Sequence, residues 1–290
     1  MTGILLVDKP EEWTSSDVVC KLRGVLHERR IGHSGTLDPM ATGLLPVFVG
    51  KATKAVEYAE NQTKRYLAGL RLGMMTDTLD ITGNIISKEE VTVSDSDVLN
   101  VFPFYTGKIK QIPPMYSAVK INGKKLYQMA RNGKSVEREA RDIEIFSLSL
   151  LGKNDAGDYL LDILCSKGTY IRSLCDDIGK SIGCGGCMSS LRRIQCGSYS
   201  ISDAVPLTEL ISESAEEIEK EHLIPVDSLF EDYPAYIADE ADTVRLKQGN
   251  TICSESPSGL YRVYSEKGDF LLLSQVSNGV MKQIKSFYEV

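Results

Sequence analysis

A run dense in glycine and proline, residues 31–50, constrains the fold of this chain more than any other segment. It contains Gly32, Gly35, Pro39, Gly43, Pro46 and Gly50, with apolar residues between them. Breakers this frequent exclude a helix, and glycine lets a backbone turn sharply or approach a ligand closely. We expect a long loop that feeds a strand at 44–49. Asp38 stands on this loop, and Pro39 restricts the backbone beside it.

Hydrophobic periodicity predicts the remaining elements. Strands are expected at 3–7, 64–72, 81–87, 158–165 and 195–201, and helices after the capping residues 14–17 and 94–97 and at 53–60, 124–132 and 171–182. The Ile112-Pro113-Pro114 break predicts that the segment from 108 begins as a loop, and residues 203–232 read as acidic and helical. Short β-like runs follow residue 233, with a hairpin turn at 266–269. The pattern indicates an α+β protein with domains 1–232 and 233–290.

Charge is distributed unevenly along the chain, although the net charge is −7. Residues 108–141 hold nine basic and two acidic residues, whereas residues 201–242 hold thirteen acidic residues and a single basic one. Binding responds to the local field, so the basic segment is compatible with a phosphate-facing surface. A solvated surface hairpin explains the same charges, and charge alone leaves both interpretations open.

The start of the chain lacks the basic region and long apolar run of a signal peptide, and no window approaches the ~18 apolar residues of a membrane helix. We therefore expect a cytoplasmic protein without a membrane partner. The seven cysteines are expected to be reduced. Cys184 and Cys187 have the spacing of half a zinc site, but no second such pair occurs, and no metal is predicted.

The sixteen residues 32–47, GHSGTLDPMATGLLPV, carry the most specific signal. On general grounds an Asp-Pro pair in such a loop marks a turn more often than a catalytic group. This run, however, resembles the signature of the TruB family of pseudouridine synthases. Further segments resemble the family in the same order: 8–10 with 14–15, 64–66, 77–80 with Gly83, 111–120, 123–127, 166–172 and 191–193. Residues 233–290 resemble its PUA-like tail more loosely.

The resemblance implies a fold and a set of roles. The fold is a mixed or antiparallel sheet catalytic domain with a small β-rich, PUA-like C-terminal domain. Asp38 would be catalytic, Tyr66 would contact the target base, Arg172 would pair with the aspartate and Leu191 would pack in the site. An RNA-gripping insertion would span about 108–141, and His33 would help to hold the RNA. The residues expected on RNA are His33, Lys9, Lys64, Lys120, Lys124, Lys125, Arg131 and Arg141.

Other interpretations of these side chains remain. His33 could be a loop histidine bonded to backbone, Tyr66 a plain strand residue, and Arg172 a surface arginine paired with Asp176 one helical turn later. If the family roles hold, an Arg172 guanidinium within ~4–6 Å should lower the pKa of Asp38 and orient it.

The implied reaction converts a uridine in the T-loop of tRNA, position 55, into pseudouridine. The N1–C1′ bond breaks, the uracil rotates and C5 is joined to C1′, without a cofactor, a metal or a guide RNA. Asp38 would either attack C1′ or act as a base toward a glycal, and the sequence leaves this open. We expect a monomer. The alternatives are an RNA chaperone whose catalysis is secondary or lost, and the related guide-dependent enzyme, which carries a fuller tail.

Overall fold

The computed structural model describes residues 1–121, 123–134 and 136–288, without the side chains of Lys125 and Arg131. Within these ranges the strands are β1 Gly3–Lys9, β2 Ile31–His33, β3 Thr42–Val49, β4 Lys64–Leu72, β5 Met74–Thr76, β6 Ile85–Lys88, β7 Gly107–Gln111, β8 Lys120–Ile121, β9 Lys124–Lys125, β10 Arg141–Lys153, β11 Tyr159–Cys165, β12 Gly186–Cys196, β13 Tyr199–Ser200, β14 Val205–Pro206, β15 Ala235–Ala238, β16 Ile252–Cys253, β17 Gly259–Ser265, β18 Phe270–Ser277 and β19 Val280–Ser286. The α-helices are α1 Ser15–Leu26, α2 Val56–Glu60, α3 Asp95–Val101, α4 Leu126–Arg131, α5 Ile171–Ile182, α6 Leu207–Leu210, α7 Ala215–Glu221 and α8 Glu240–Lys247.

A mixed sheet of ten strands forms the centre of the molecule. Its order is β14-β1-β3-β12-β4-β11-β10-β7, with β2 added to β3 and β13 added to β12. The β1–β14 and β3–β12 pairs are parallel and the other pairs are antiparallel. Because β3 pairs with β12 and β12 pairs with β4, the loop before β3 lies beside the first residues of β4 and the last residues of β12.

Apolar side chains cover both faces of this sheet. Helix α5 packs on β12 and β4 in a cluster that includes Leu70, Leu174 and Met188. Helix α1 begins at the predicted cap, where Thr14 Oγ1 accepts from Asp17 N and the Asp17 carboxylate accepts from Thr14 N. The buried face of α1 packs against β1 and β3 in a second cluster. These two helices therefore bury apolar faces of the sheet from which the candidate site is built.

A second sheet, of five strands in the order β15-β17-β18-β19-β16, confirms the β-rich C-terminal region. Leu273 and Phe287 of this region share an apolar cluster with Ile4, Phe48 and Phe230. The tail therefore packs against the side of the first sheet. In the part of the chain that the structure describes, no helix is long and apolar enough to cross a membrane.

Several element predictions were wrong in detail. The basic segment begins as strand β7, because Ile109 packs against the core while the lysines beside it face solvent, and the prolines only end the strand. Strand β6 starts at Ile85, because side chains of the preceding residues close a turn in which Asp77 accepts from Asn84 N. The acidic region 203–232 contains only short helical pieces, and the tail contains a helix, α8, that was missed.

Candidate active site

The loop that carries Asp38 is fixed by hydrogen bonds on both sides of the aspartate. Leu37 N donates to Ser15 Oγ at 2.9 Å, and Glu12 N donates to Pro39 O at 2.8 Å. Ala41 N closes a turn on Asp38 O at 3.0 Å. The side chain of Asp38 keeps 34 % of its surface exposed. It is therefore held on a rigid turn and still open to a ligand.

Arg172, the second residue of α5, makes a two-point contact with Asp38. Its Nε lies 2.9 Å from Asp38 Oδ2, and its Nη2 lies 3.2 Å from Asp38 Oδ1. Nη2 also donates to Tyr116 O at 2.7 Å, and Nη1 donates to Thr78 O at 3.2 Å. The Arg172 side chain is only 6 % exposed, and Asp176 pairs instead with Lys180. The pairing predicted from the sequence is confirmed, and the surface interpretation of Arg172 is wrong.

A second carboxylate, Asp80, lies behind Arg172, with Oδ2 at 3.8 Å from Nη1. Asp80 is buried, and its Oδ1 accepts hydrogen bonds from Thr78 Oγ1, Thr82 N and Thr82 Oγ1. Gly83 permits this turn, because a Cβ there would lie 2.3 Å from Thr78 Oγ1. Arg172 therefore lies between two carboxylates, Asp38 and Asp80. A buried guanidinium needs such partners, because an unpaired charge is costly to remove from water.

The pKa of Asp38 is raised above its ordinary value. Burial is the largest cause, and the charge of Asp80 acts in the same direction, while Arg172 and Lys9 lower the pKa. Arg172 lowers the pKa of Asp38, as predicted. The net pKa is nevertheless raised, so the predicted direction was wrong, because the effect of desolvation on the carboxylate is larger than that of Arg172. A carboxylate in this environment is a stronger base than one in water.

Tyr66 and Leu191 lie beside the Asp38 loop in the same apolar cluster as Leu37 and Ala41. Both side chains are nearly buried, at 8 % exposure each. Burial raises the pKa of Tyr66 to about 12, so its hydroxyl keeps its proton at neutral pH. Both residues thus share the apolar cluster that includes the Asp38 loop, and their predicted roles toward the target base stay predictions.

Arg193 is a fully buried cation beside the Asp38 loop. Nε donates to Leu44 O at 2.7 Å and Nη2 donates to Gly35 O at 3.0 Å, so one guanidinium contacts both sides of the Asp38 loop. It also lies close enough to Tyr66 to lower that hydroxyl's pKa against the larger effect of burial. Gly43 allows the approach, since a Cβ there would lie 2.3 Å from Arg193 O. Among the described residues, no carboxylate forms a salt bridge with Arg193.

His33 ends β2, just before the Asp38 loop. Burial and then the charge of Arg193 lower its pKa, so the imidazole is neutral at neutral pH. Its Nδ1 is buried and has no hydrogen-bond partner within the described ranges. The alternative of a histidine bonded to backbone through this nitrogen is therefore not supported, and contact with RNA stays a prediction.

Two of the lysines predicted to contact RNA do not face solvent. Lys9 is completely buried, and its Nζ donates to Pro10 O at 2.8 Å, Trp13 O at 2.6 Å and Pro39 O at 3.3 Å. Lys64 is 6 % exposed and donates to Glu60 O and Gln62 O, each at 2.7 Å. All three donors of Lys9 are used on carbonyls, and burial lowers its pKa to about 8. The burial of both side chains contradicts the predicted RNA contacts of Lys9 and Lys64. Lys9 instead links the end of β1 to the Asp38 loop through its hydrogen bond to Pro39 O.

The remaining basic residues of the prediction have different positions. Lys120 and Lys124 are exposed on the β8–β9 hairpin, and Arg141 is exposed at the start of β10. The side chains of Lys125 and Arg131 lie outside the described residues. The loop after β7 reaches the site through Tyr116 O on Arg172, and Gln111 exchanges two hydrogen bonds with Tyr170 just before α5. The basic segment therefore starts at the active site.

Asp80 and Arg193 were not predicted as site residues. A signal for Asp80 existed, because Asp77-Thr78-Leu79-Asp80 followed by Gly83 has the composition of a side-chain-stabilised turn. Arg193 gave no signal of its own, because Arg192 and Arg193 look equivalent in the sequence. Their environments differ because neighbouring residues of a strand face opposite sides of the sheet. Arg192 pairs with Asp8 at 2.6 Å near the surface, whereas Arg193 is buried in the core.

Comparison with known proteins identifies the family. Residues 23–171 match the model of the TruB family pseudouridylate synthase N-terminal domain, and residues 172–231 match that of the tRNA pseudouridylate synthase B C-terminal domain. The chain is 40 % identical to "tRNA pseudouridine synthase B" of Clostridium kluyveri over 294 aligned residues, covering 99 % of this chain and 100 % of the relative. It is also 40 % identical to the protein of that name from Pseudomonas fluorescens, over 96 % of this chain and 92 % of the relative.

Solved structures support the fold. A chain in the "Crystal Structure of a Cbf5-Nop10-Gar1 Complex" superposes with a TM-score of 0.73 at 23 % identity, covering 99 % of this chain and 85 % of that one. A chain in "Structure of H/ACA RNP bound to a substrate RNA containing 2'-deoxyuridine" gives a TM-score of 0.72 at 21 % identity, with the same coverage. With these matches, the Asp38–Arg172 pair and the neighbouring tyrosine, the chain belongs to the TruB family of pseudouridine synthases.

Proposed function

We propose that this protein isomerises a uridine in the T-loop of tRNA, position 55, to pseudouridine, with Asp38 as the catalytic residue. The observation that carries the proposal is the two-point contact of Arg172 with Asp38, on a loop whose carboxylate remains partly exposed. An oriented carboxylate beside a buried tyrosine suits a reaction that breaks and remakes a bond at C1′ of a flipped nucleotide. The names of the full-length relatives support tRNA as the substrate.

The proposed reaction conserves every atom of the nucleotide. The bond from C1′ to N1 breaks, the uracil rotates, C5 bonds to C1′, and the proton on C5 is replaced by one on N1. Asp38 acts either by bonding to C1′ or by taking the C2′ proton toward a glycal. Deuterium at C2′ separates the two routes, because only proton removal gives a primary isotope effect. Tyr66 holds the uracil against its ring and keeps its hydroxyl as a donor.

The RNA surface in this proposal runs from His33 to the exposed Lys120, Lys124 and Arg141. Flipping a base costs a few kcal/mol, which contacts to phosphates and a stacked base offset. Leu191 forms part of the apolar wall of the pocket that receives the uracil in this proposal. We assign residues 1–232 to the catalytic domain, with the RNA-gripping segment at 108–141, and residues 233–290 to a PUA-like domain. The five-stranded tail sheet supports that division.

We propose further that the protein acts as a monomer in the cytoplasm, without a guide RNA. The support for guide independence is that relatives 40 % identical to this chain are named tRNA pseudouridine synthase B. A reaction that contains only the protein and a tRNA transcript tests guide independence. Sedimentation of the protein at assay concentration tests the monomer.

The first experiment maps pseudouridine in an unmodified tRNA transcript by carbodiimide adduct formation and primer extension, without added metal or cofactor. We expect a T-loop signal with the wild-type protein and none with Asp38→Asn, while both bind the transcript. Tight binding without a signal from the wild type would contradict the proposed reaction and favour an RNA chaperone. A T-loop signal from Asp38→Asn would remove Asp38 from the catalytic role.

A further inference from the structure

Two carboxylates and an imidazole come together in the acidic segment of the chain, apart from the residues of the candidate active site. Glu209 lies on α6, Glu213 lies in the turn between α6 and α7, and His222 directly follows α7. One ligand atom of each side chain lies within 4.8 Å of those of the other two. Imidazole nitrogen and carboxylate oxygen are both zinc ligands in proteins. We name these three residues the Glu–Glu–His cluster.

The spacing of two members of the cluster already fits a metal ion. His222 Nε2 lies 3.0 Å from Glu213 Oε2 and 3.2 Å from Glu213 Oε1. Zinc bonds of about 2.0–2.1 Å in a tetrahedral arrangement place two ligand atoms about 3.3 Å apart. Glu209 is exposed, so rotation of its side chain can bring a carboxylate oxygen to the same distance. A water molecule from solvent would complete a set of four ligands.

The two carboxylates have little cationic compensation. In the part of the chain that the structure describes, Glu209 forms no salt bridge, and Glu213 pairs with His222 alone. Glu213 Oε2 is buried and accepts no hydrogen bond there. A buried carboxylate oxygen without a partner is costly. The imidazole neutralises one carboxylate only when it is protonated, whereas a divalent cation neutralises both.

The charge around the cluster attracts cations. Residues 201–242 hold thirteen acidic residues and one basic residue, Lys220. The Lys220 ammonium lies 2.8 Å from the Glu221 carboxylate, so it is already paired with another acidic residue. A concentration of like charges raises the local concentration of the opposite ion. The segment therefore has a negative potential that favours a divalent cation over a neutral ligand.

The backbone that carries the cluster is held in place by the core. Leu210 and Ile218 are completely buried in the apolar cluster that α1 and β1 share. Ser212 N donates to Glu209 O at 2.9 Å, and His222 N donates to Ile218 O at 3.0 Å. Binding of an ion therefore needs adjustment of side chains only, which keeps its entropic cost small.

We propose that Glu209, Glu213 and His222 bind one divalent cation of the zinc class, and that this ion joins α6 to the end of α7. An imidazole ligand favours zinc over magnesium, which prefers oxygen ligands. The role is structural. Just after His222, Ile224 exchanges two backbone hydrogen bonds of 2.8 Å with Ile4 of β1, so the ion stabilises the attachment of this segment to the first sheet. The inference is independent of the proposed function.

The test measures zinc binding by the full chain after treatment with EDTA and desalting. Cys20 and Cys253 are exposed thiols, which also bind zinc. Every protein in the series therefore carries Cys20→Ser and Cys253→Ser, and this background is the reference. Isothermal titration with ZnCl2 gives the stoichiometry and the Kd. Thermal unfolding is recorded without metal, with ZnCl2 and with MgCl2.

The ligand variants are Glu209→Gln, Glu213→Gln and His222→Gln. Glutamine keeps the size of glutamate, and unfolding curves without metal establish that each variant is folded. The matched control is Glu216→Gln, because Glu216 is an exposed glutamate of the same segment and its replacement removes the same charge. The control separates ligation from general attraction of zinc to an acidic surface.

We expect the reference protein to bind one zinc ion per chain. Its Tm should rise by about 5 °C when free zinc is about a hundredfold above Kd, and MgCl2 should give no such rise. Each ligand variant should bind zinc at least about tenfold more weakly, and Glu216→Gln should bind like the reference. A reference protein that binds no zinc would overturn the proposal. So would ligand variants with unchanged affinity, or a loss in Glu216→Gln equal to theirs.

Discussion

Replacing Arg193 with lysine tests whether a buried cation positions the catalytic loop. The substitution keeps the positive charge and removes the planar fork that contacts Leu44 O and Gly35 O together. A lysine ammonium at the end of a flexible chain can reach one of these carbonyls but does not span both. The loop between them carries Asp38, so we expect the aspartate to lose part of its alignment.

The magnitude follows from the contacts. Arg193 is 1 % exposed, and a hydrogen bond to a charged group contributes ~1.5–3 kcal/mol. Loss of one such bond should lower the free energy of unfolding by about 2 kcal/mol. If the proposed role of Asp38 holds, a displacement of its carboxylate by ~1 Å should lower kcat by about a hundredfold. KM should change little, because Arg193 has no exposed surface with which to contact RNA.

The assay compares urea unfolding, RNA affinity and single-turnover rate for Arg193→Lys and for Arg192→Lys. The control lies one residue away on the same strand, where Arg192 is 40 % exposed and pairs with Asp8. A surface ion pair of this kind contributes ~0–1 kcal/mol, so the control should be nearly as stable and active as the wild type. A folded Arg193→Lys protein with a wild-type rate would refute the positioning role. Equal losses in both variants would also refute it.

Three further predictions concern the charges around the site. In the proposed reaction the ionised carboxylate of Asp38 is the active form, and its pKa is raised. The rate should therefore fall as the pH decreases through a pKa above the ordinary aspartate value, and a rate that stays constant down to pH 4 would contradict this. Asp80→Asn removes a negative charge that raises the pKa of Asp38, so the acid limb of the pH–rate profile should move to lower pH. The value of kcat should also fall, because Arg172 loses an ion-pair partner. An acid limb that moves to higher pH would contradict the predicted effect of Asp80 on the pKa of Asp38. Replacing Lys124 and Lys125 with alanine should weaken tRNA binding and lower the salt slope by up to about two, and an unchanged slope would remove both lysines from the RNA surface.

Local pattern was sufficient for two of the elements that carry the site, α5 and β4, but the strand expected at 195–201 missed most of β12, Gly186–Cys196, which carries Leu191 and Arg193. Helix α5 was predicted at its observed bounds, because Tyr170 precedes an amphipathic run that ends at Gly183, a glycine with φ 97°. Strand β4 was likewise predicted at its observed bounds from alternation. The pattern misplaced the start of β6, because the turn before it is formed by side-chain hydrogen bonds of Asp77 and Asp80. Hydrophobic periodicity does not predict which carboxylate accepts from which backbone amide.

The sequence by itself determined the family, the fold class and the pairing of Arg172 with Asp38, because the residues 32–47 and 166–172 are specific local signals. Only the tertiary structure decided which cations are exposed to solvent and which are buried in the interior. Lys9, Lys64 and Arg193 are buried and donate to backbone carbonyls, whereas Lys120, Lys124 and Arg141 remain exposed. The reason is that charge is a property of a residue, whereas burial and electrostatic potential are properties of the packed assembly around it.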